Sequence, residues 1–350
     1  MADFISFQPK DYFKTVLYTG NGSTQSITGV GFSPGLCWIK DRGSSAYDHQ
    51  LYDPARGVTK AVASNTTDAE STNSNSLTSF DSDGFSLGSY ARTNSNGDNK
   101  VAWNWRAGTT TGITTNGSTV ITPSAYTFDQ TAGFSAVKYT GNGNTTTKVA
   151  HGVGAAPKLL LIKNLDDGGD NWRVYHPGIT NTTSLQLDNN GATSGGSDIF
   201  YDTDPDTVNF TLGNHVSVNN NGENYIAYCF AETQGFSRFG SYTGNSNSDG
   251  PFLYCGFKPA LFVVKRYDTS GEYWNTLDSS RDPINPADLF IYWSENSGEG
   301  VKTSKIDFVS NGVKIRGTDG AFNNSGGSYV YMAWAEQPFV ASNETPATGR

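Results

Sequence analysis

Apolar positions along this chain come in short bursts, and three of the bursts read alike. GLCWIK ends at Lys40, KLLLIK at Lys163 and ALFVVK at Lys265, each six residues after a proline, Pro34, Pro157 or Pro259. The stretch LCWIK, LLLIK or LFVVK that closes each run is apolar throughout before its lysine, as a central strand buried on both faces would be. A second set alternates. VAWNWRAG (101–108), YIAYCFAE (225–232) and YVYMAWAE (329–336) place Val101, Trp103 and Trp105, then Ile226, Tyr228 and Phe230, then Val330, Met332 and Trp334 on one face. The opposite face is mostly small: Ala102, Ala227, Cys229, Ala333, Ala335. Large on one side and small on the other suits a strand wedged inside a sandwich. Shorter alternating strands carry Phe85 and Leu87, Phe210 and Leu212, and Val313 and Ile315. No long segment keeps a 3.6-residue period, and NG or DG pairs at Asn21, Asp83, Asn116, Asn142, Asn221, Asp249, Asn311 and Asp319 favour tight turns between antiparallel strands.

The bursts belong to a larger recurrence. YTGNG at 18–22 returns at 139–143 and, as YTGNS, at 242–246; the tyrosine precedes its proline by 16, 18 and 17 residues. Nineteen residues past the proline stand Asp53, His176 and Asp278, and an arginine follows three later in the first and third copies only, Arg56 and Arg281. The joint loss in the second copy, which reads HPG, predicts that Asp53 pairs with Arg56 and Asp278 with Arg281, because dropping one partner alone would strand a charge. The tyrosines are spaced by 121 and 103 residues, too long for a solenoid unit and long enough for each unit to bury its own core. The expected fold is all-β: three tandem antiparallel β-sandwich, jelly-roll-like repeats. They are expected as beads over 1–108, 133–234 and 235–339. Residues 109–132 form either a linker or an added edge strand, and 340–350 a mobile tail.

Composition narrows the function. The 350 residues carry a net charge of −9 with no run of Lys or Arg, which disfavours nucleic acid as a partner. No stretch is long and apolar enough to insert in a membrane, and MADFISFQPKDYF lacks a signal-peptide core, so synthesis in a cytoplasm without export is expected. Cys37, Cys229 and Cys255 sit in apolar runs and read as small buried hydrophobes. His49, His151, His176 and His215 show no metal-ligand spacing, and no GxSxG occurs. No cofactor, metal or catalytic residue is expected, and the acids of YDTDPDT (201–207) read as a solvated turn rather than a calcium loop. Aromatics make up 13% of the chain. Trp172, Tyr175, Tyr273 and Trp274, near the column nineteen past the proline, are the candidate ligand-binding side chains, since aromatic faces stack on sugars or partner proteins; core or interface packing is the other reading of them.

The runs YTGNGSTQSITGVGFSPGLCWIKDRG (18–43), LYDPARGVTK (51–60), LTSFDSDGFSLG (77–88) and YVYMAWAEQPF (329–339) resemble a repeat module of tailed-phage virion proteins, of marine and cyanobacterial phages above all. The resemblance implies a non-enzymatic virion structural protein, a tail fibre or host-recognition appendage. Its implied partners are copies of itself as a homotrimer, other virion proteins, and a host surface glycan or protein. A capsid decoration or head-appendage protein is the alternative, and a polysaccharide depolymerase the second alternative.

Overall fold

A computed structural model describes residues 7–43 and 47–338. Its strands pair antiparallel, and one strand order returns three times. The first sheet runs Phe13–Thr19, Asn99–Arg106, Pro34–Asp41, Gln50–Tyr52. The second runs Phe134–Thr140, Asn224–Ala231, Pro157–Asn164, Arg173–Tyr175, and the third Ser237–Thr243, Ser328–Pro338, Phe257–Arg266, Asn275–Asp278. The post-proline strand lies inside each sheet, as its unbroken apolar run requires. The proline lacks an N–H for the ladder, and the register slips at that place each time: between Pro34 and Leu36, Pro157 and Leu159, and Pro259 and Leu261.

A second layer covers each sheet. In the first segment it is Gln25–Ile27, Gly84–Leu87 and Leu77–Asp81; in the second, Thr147–Ala150 with Asn209–Leu212. In the third segment the two layers are continuous. Beyond Asn275–Asp278 come Ala287–Tyr292, Gly300–Val309, Gly312–Ile315 and Phe252–Tyr254, an eight-stranded sheet that curls towards a barrel. Within 109–132, Ala125–Asp129 adds an edge strand beside Phe134–Thr140. The expected tail at 340–350 lies outside the described residues.

The Tyr-Thr-Gly-Asn stretch is a clamp between the start and end of each segment. Tyr18, Tyr139 and Tyr242 donate their hydroxyls to Thr93 O, Val218 O and Phe322 O, each at 2.7 Å. The glycine is forced by close approach. A Cβ on Gly20, Gly141 or Gly244 would lie 2.2, 2.3 or 2.2 Å from Ser95 O, Asn220 O or Asn324 O. A buried asparagine closes the clamp. Asn94, Asn219 and Asn323 accept from the backbone N–H of Asn21, Asn142 and Asn245 at 2.9, 2.9 and 2.8 Å. Their amide nitrogens donate to Gly88 O, Gly213 O and Gly317 O. These three were missed in the sequence, although Asn-x-x-Gly recurs there in TNSNG, VNNNG and FNNSG.

The core departs from the expectation of separate beads. In the first two segments the small face of the closing strand looks into the sandwich: Ala102 packs with Cys37, Ile39 and Phe85, and Ala227 and Cys229 with Leu160, Ile162 and Phe210. The large face looks out of its own sandwich. Val101, Trp103, Trp105, Ile226, Tyr228, Phe230, Val330, Met332 and Trp334 all belong to one core shared by the three segments. At its centre the equivalent residues Trp105, Phe230 and Trp334 meet pairwise, with ring centroids 5.8, 5.2 and 5.4 Å apart. The large side chains of this strand are wide because they span a gap between sheets of different segments, not because they fill a sandwich.

A shared core implies shared unfolding. Denaturant titration followed by tryptophan fluorescence and by far-ultraviolet circular dichroism is expected to give one coincident transition. Trp334→Ala should lower the stability by about 3–5 kcal/mol without splitting that transition. Three separable transitions would contradict the shared core.

Candidate functional site

The columns singled out in the sequence fall at the junctions between segments. Asp53 Oδ2 accepts from Arg56 Nε at 2.6 Å and Oδ1 from Arg56 N at 2.9 Å, with both side chains fully buried. Tyr228 of the second segment donates its hydroxyl to the same carboxylate at 2.7 Å. Asp278 Oδ2 accepts from Arg281 Nε at 2.5 Å, again fully buried, and Trp103 Nε1 of the first segment donates to it at 3.1 Å. The predicted pairs are therefore present, and each carries a third donor from a neighbouring segment. The second segment lacks the pair because its neighbour offers no such donor: Met332 stands where Trp103 and Tyr228 stand in the other closing strands. His176 reaches the backbone instead. Its Nε2 lies 3.1 Å from Tyr331 O while Nδ1 accepts from Gly178 N at 3.0 Å, so the proton is on Nε2.

The contacts form a closed cycle. Asp53 reaches from the first segment to the second, His176 from the second to the third, and Asp278 from the third to the first. A backbone bond repeats the cycle: Glu70 N donates to Leu165 O, Thr193 N to Tyr267 O and Glu299 N to Arg42 O, at 2.9, 3.0 and 2.7 Å. Each acceptor sits two residues past the strand lysine. At the junction that joins the ends of the chain, Trp38 stacks on Trp293 at 4.1 Å and Arg42 pairs with Glu299 at 2.8 Å.

The candidate ligand-binding aromatics need correcting. Trp172 and Trp274 are fully buried and Tyr175 nearly so. Trp172 Nε1 donates to Ala63 O and Trp274 Nε1 to Gln186 O, both at 2.8 Å and both across a junction. His49, fifteen residues past its proline as they are past theirs, does the same through Nε2 to Tyr292 O at 2.8 Å, while its Nδ1 accepts from Trp38 Nε1. Tyr175 donates to Asp204 at 3.0 Å. Tyr273 is half-buried against the Tyr292 ring at 4.7 Å. A free sugar-stacking platform is thus not what three of these four residues make: the neighbouring segment covers Trp172 and Trp274, and Tyr175 packs in the core of its own segment against Phe200.

The remaining polar chemistry is also closed on itself. Lys40, Lys163 and Lys265 are buried and donate to the carbonyls of Asp41, Asn164 and Arg266 at 2.8, 2.8 and 2.6 Å; burial brings each down to about 8. Ser217 Oγ lies 2.6 Å from His215 Nδ1, but that nitrogen also caps a helical turn through Ser217 N, and Arg173 Nε holds the hydroxyl at 2.8 Å. The serine is fully buried, so the pair is a cap and not an activated nucleophile. Among the described residues no three or more His, Cys, Asp or Glu side chains gather where a metal ion could sit, and no helix is long and apolar enough to cross a membrane.

Burial of the histidines sets a pH dependence. Burial lowers His151 and His176 to about 4 and His49 well below its usual range. The unfolded chain takes up protons near pH 6.5 and the folded one only near 4. Stability present above 6.5 is therefore lost as the pH falls through that window, on the order of 3 kcal/mol per fully shifted histidine. Denaturation midpoints at pH 7.5, 5.5 and 4.5 should fall in that order, and His176→Gln should flatten the slope. An unchanged slope would show that His176 does not titrate with unfolding. For the ion pair, Arg56→Ala should cost about 3–5 kcal/mol because it leaves Asp53 charged and buried. Asp53→Asn combined with Arg56→Ala should cost less than the sum of the two single changes, and a double-mutant cycle checks this.

A sequence profile described as a domain of unknown function, DUF7483, matches residues 8–338. No curated protein matches the chain.

Proposed function

The chain belongs to the DUF7483 family, and we propose that it is a non-enzymatic structural protein of a bacteriophage virion, a tail fibre or host-recognition appendage. On this reading the three segments are copies of one β-sandwich module, set around an approximate threefold axis through Trp105, Phe230 and Trp334. The observation that carries the reading is the cycle of junctions: the residues of the phage-like runs, from Tyr18 and Gly20 through Asp53 and Arg56 to Trp334, serve packing and closure. The buried lysines Lys40, Lys163 and Lys265, the histidines His49, His176 and His215 and the Asp–Arg pairs are engaged by carbonyls, caps and one another. A block whose buried polar groups are engaged internally suits display and contact better than turnover.

The same observation bears on assembly. The resemblance implies that three chains come together; here three segments bury a common core within one chain. The homotrimer of the sequence reading then becomes an assembly of such blocks through their outer surfaces, with other virion proteins and a host surface glycan or protein as further partners. A capsid decoration protein is the second reading. It is favoured by the cyclic arrangement, because a block with three near-equal faces matches a threefold position on a shell.

Cryo-electron microscopy of particles carrying a tagged copy tests the reading. Density for the block on the tail or its fibres is expected. Density on the shell would transfer the assignment to decoration, and particles without the chain would overturn both. Light scattering of the purified protein at micromolar concentration is expected to exceed the mass of one chain, and a monodisperse monomer would remove the oligomer.

A further inference from the structure

The outer layer of the third segment ends on the strand Phe252–Tyr254, which pairs on one side with Gly312–Ile315. Ile315 N donates to Pro251 O and Cys255 N to Asn311 O. In an antiparallel pair every second residue turns its peptide groups away from the partner, so those of Phe252 and Tyr254 point to the open side. No hydrogen bond reaches them from the described residues. Their side chains stand on the outward face, 47% and 58% exposed. An open edge with two exposed aromatics is the kind of surface soluble proteins keep covered.

The second segment has the same place closed. Its strand Thr147–Ala150 pairs with Asn209–Leu212, and Lys148 and Ala150 occupy the positions of Phe252 and Tyr254. Along its open side lies a piece of the preceding connection. Val120 N and Ile121 N donate to Lys148 O, both at 2.9 Å, Ala150 N donates to Ile121 O at 3.2 Å, and Ile121 bridges Val149 in parallel. Thr119 Oγ1 adds a bond to Asn209 Oδ1 at 2.8 Å. In the first segment the two positions are Ser26 and Thr28, both exposed and polar. Only the third segment places aromatics there, and the short TQGF connection that precedes it leaves no comparable stretch of chain to lay across the edge.

We propose that Phe252–Tyr254 is a strand-addition site, and that its occupant is an extended peptide of a partner protein with the Thr/Val/Ile chemistry of residues 119–121. The incoming strand runs parallel to Phe252–Tyr254. Its N–H groups donate to Phe252 O, its carbonyl accepts from Tyr254 N, and Phe252 and Tyr254 give its β-branched side chains an apolar surface. The inference goes beyond the virion reading and does not rest on it.

A capped, fluorescently labelled peptide of residues 116–122, NGSTVIT, titrated into the full chain tests the site by anisotropy. Saturable binding is expected, weakened at least tenfold by the double change Phe252→Ser with Tyr254→Thr. Both side chains point outward, so the variant should keep the parent's denaturation midpoint. The same peptide N-methylated at Val and Ile keeps its side chains but loses its donors, and should also bind at least tenfold more weakly. No saturation by 1 mM peptide, or equal binding of the methylated peptide, would overturn strand addition. Oligosaccharide binding abolished by the double change, without peptide binding, would replace it with a sugar platform. Loss of self-association in the variant, without peptide binding, would make the occupant a second copy and overturn the proposal too.

Discussion

Everything else in this molecule depends on three aromatic rings that meet where three sheets converge. Trp105, Phe230 and Trp334 come from strands far apart in the chain, and each is held in its own sheet while it touches the other two. Their contact requires that each closing strand turn its bulky face out of its own sandwich. That orientation leaves the sandwich interiors to alanine and cysteine, which allows the two layers of the first and second segments to approach closely. The division of volume along one strand therefore sets both the private cores and the common one.

Around that apolar centre the junctions are made specific by buried polar groups. A carboxylate–guanidinium pair removed from water gains little net stability by itself. At Asp53 and Asp278 its merit is direction, because each carboxylate still has a lone pair that only the correct neighbour can satisfy: Tyr228 in one case, Trp103 in the other. Where the neighbour presents Met332, a histidine that bonds a carbonyl replaces the pair. The three junctions thus differ in chemistry while keeping one geometry, and the order of segments around the cycle follows from which donor faces which acceptor.

Much of this was legible in the sequence, and the errors share one cause. The strands and the Asp–Arg pairs follow from period, spacing and covariation within the chain, whereas residues 109–132 read as either a linker or an added edge strand. For Trp172 and Trp274 the sequence leaves ligand binding and packing both open, because positions at strand ends look exposed when a segment is considered alone; the neighbouring Ala63 and Gln186 carbonyls decide for packing and show why a tryptophan N–H is needed there. The same blindness to neighbours turned one shared core into three. Asn94, Asn219 and Asn323 escaped for a different reason: in a chain this rich in asparagine, a column of it carries little contrast.

The stack of Trp38 on Trp293 has a consequence for synthesis. The two residues are separated by most of the chain, so when the first segment leaves the ribosome, Trp38, Trp103 and Trp105 have no partner from the third. A nascent intermediate must expose this indole surface until the last third of the chain is made. Contacts of such long sequence separation form late. The growing chain is thus most open to misassociation after its first two sheets have formed and before its last has closed the cycle.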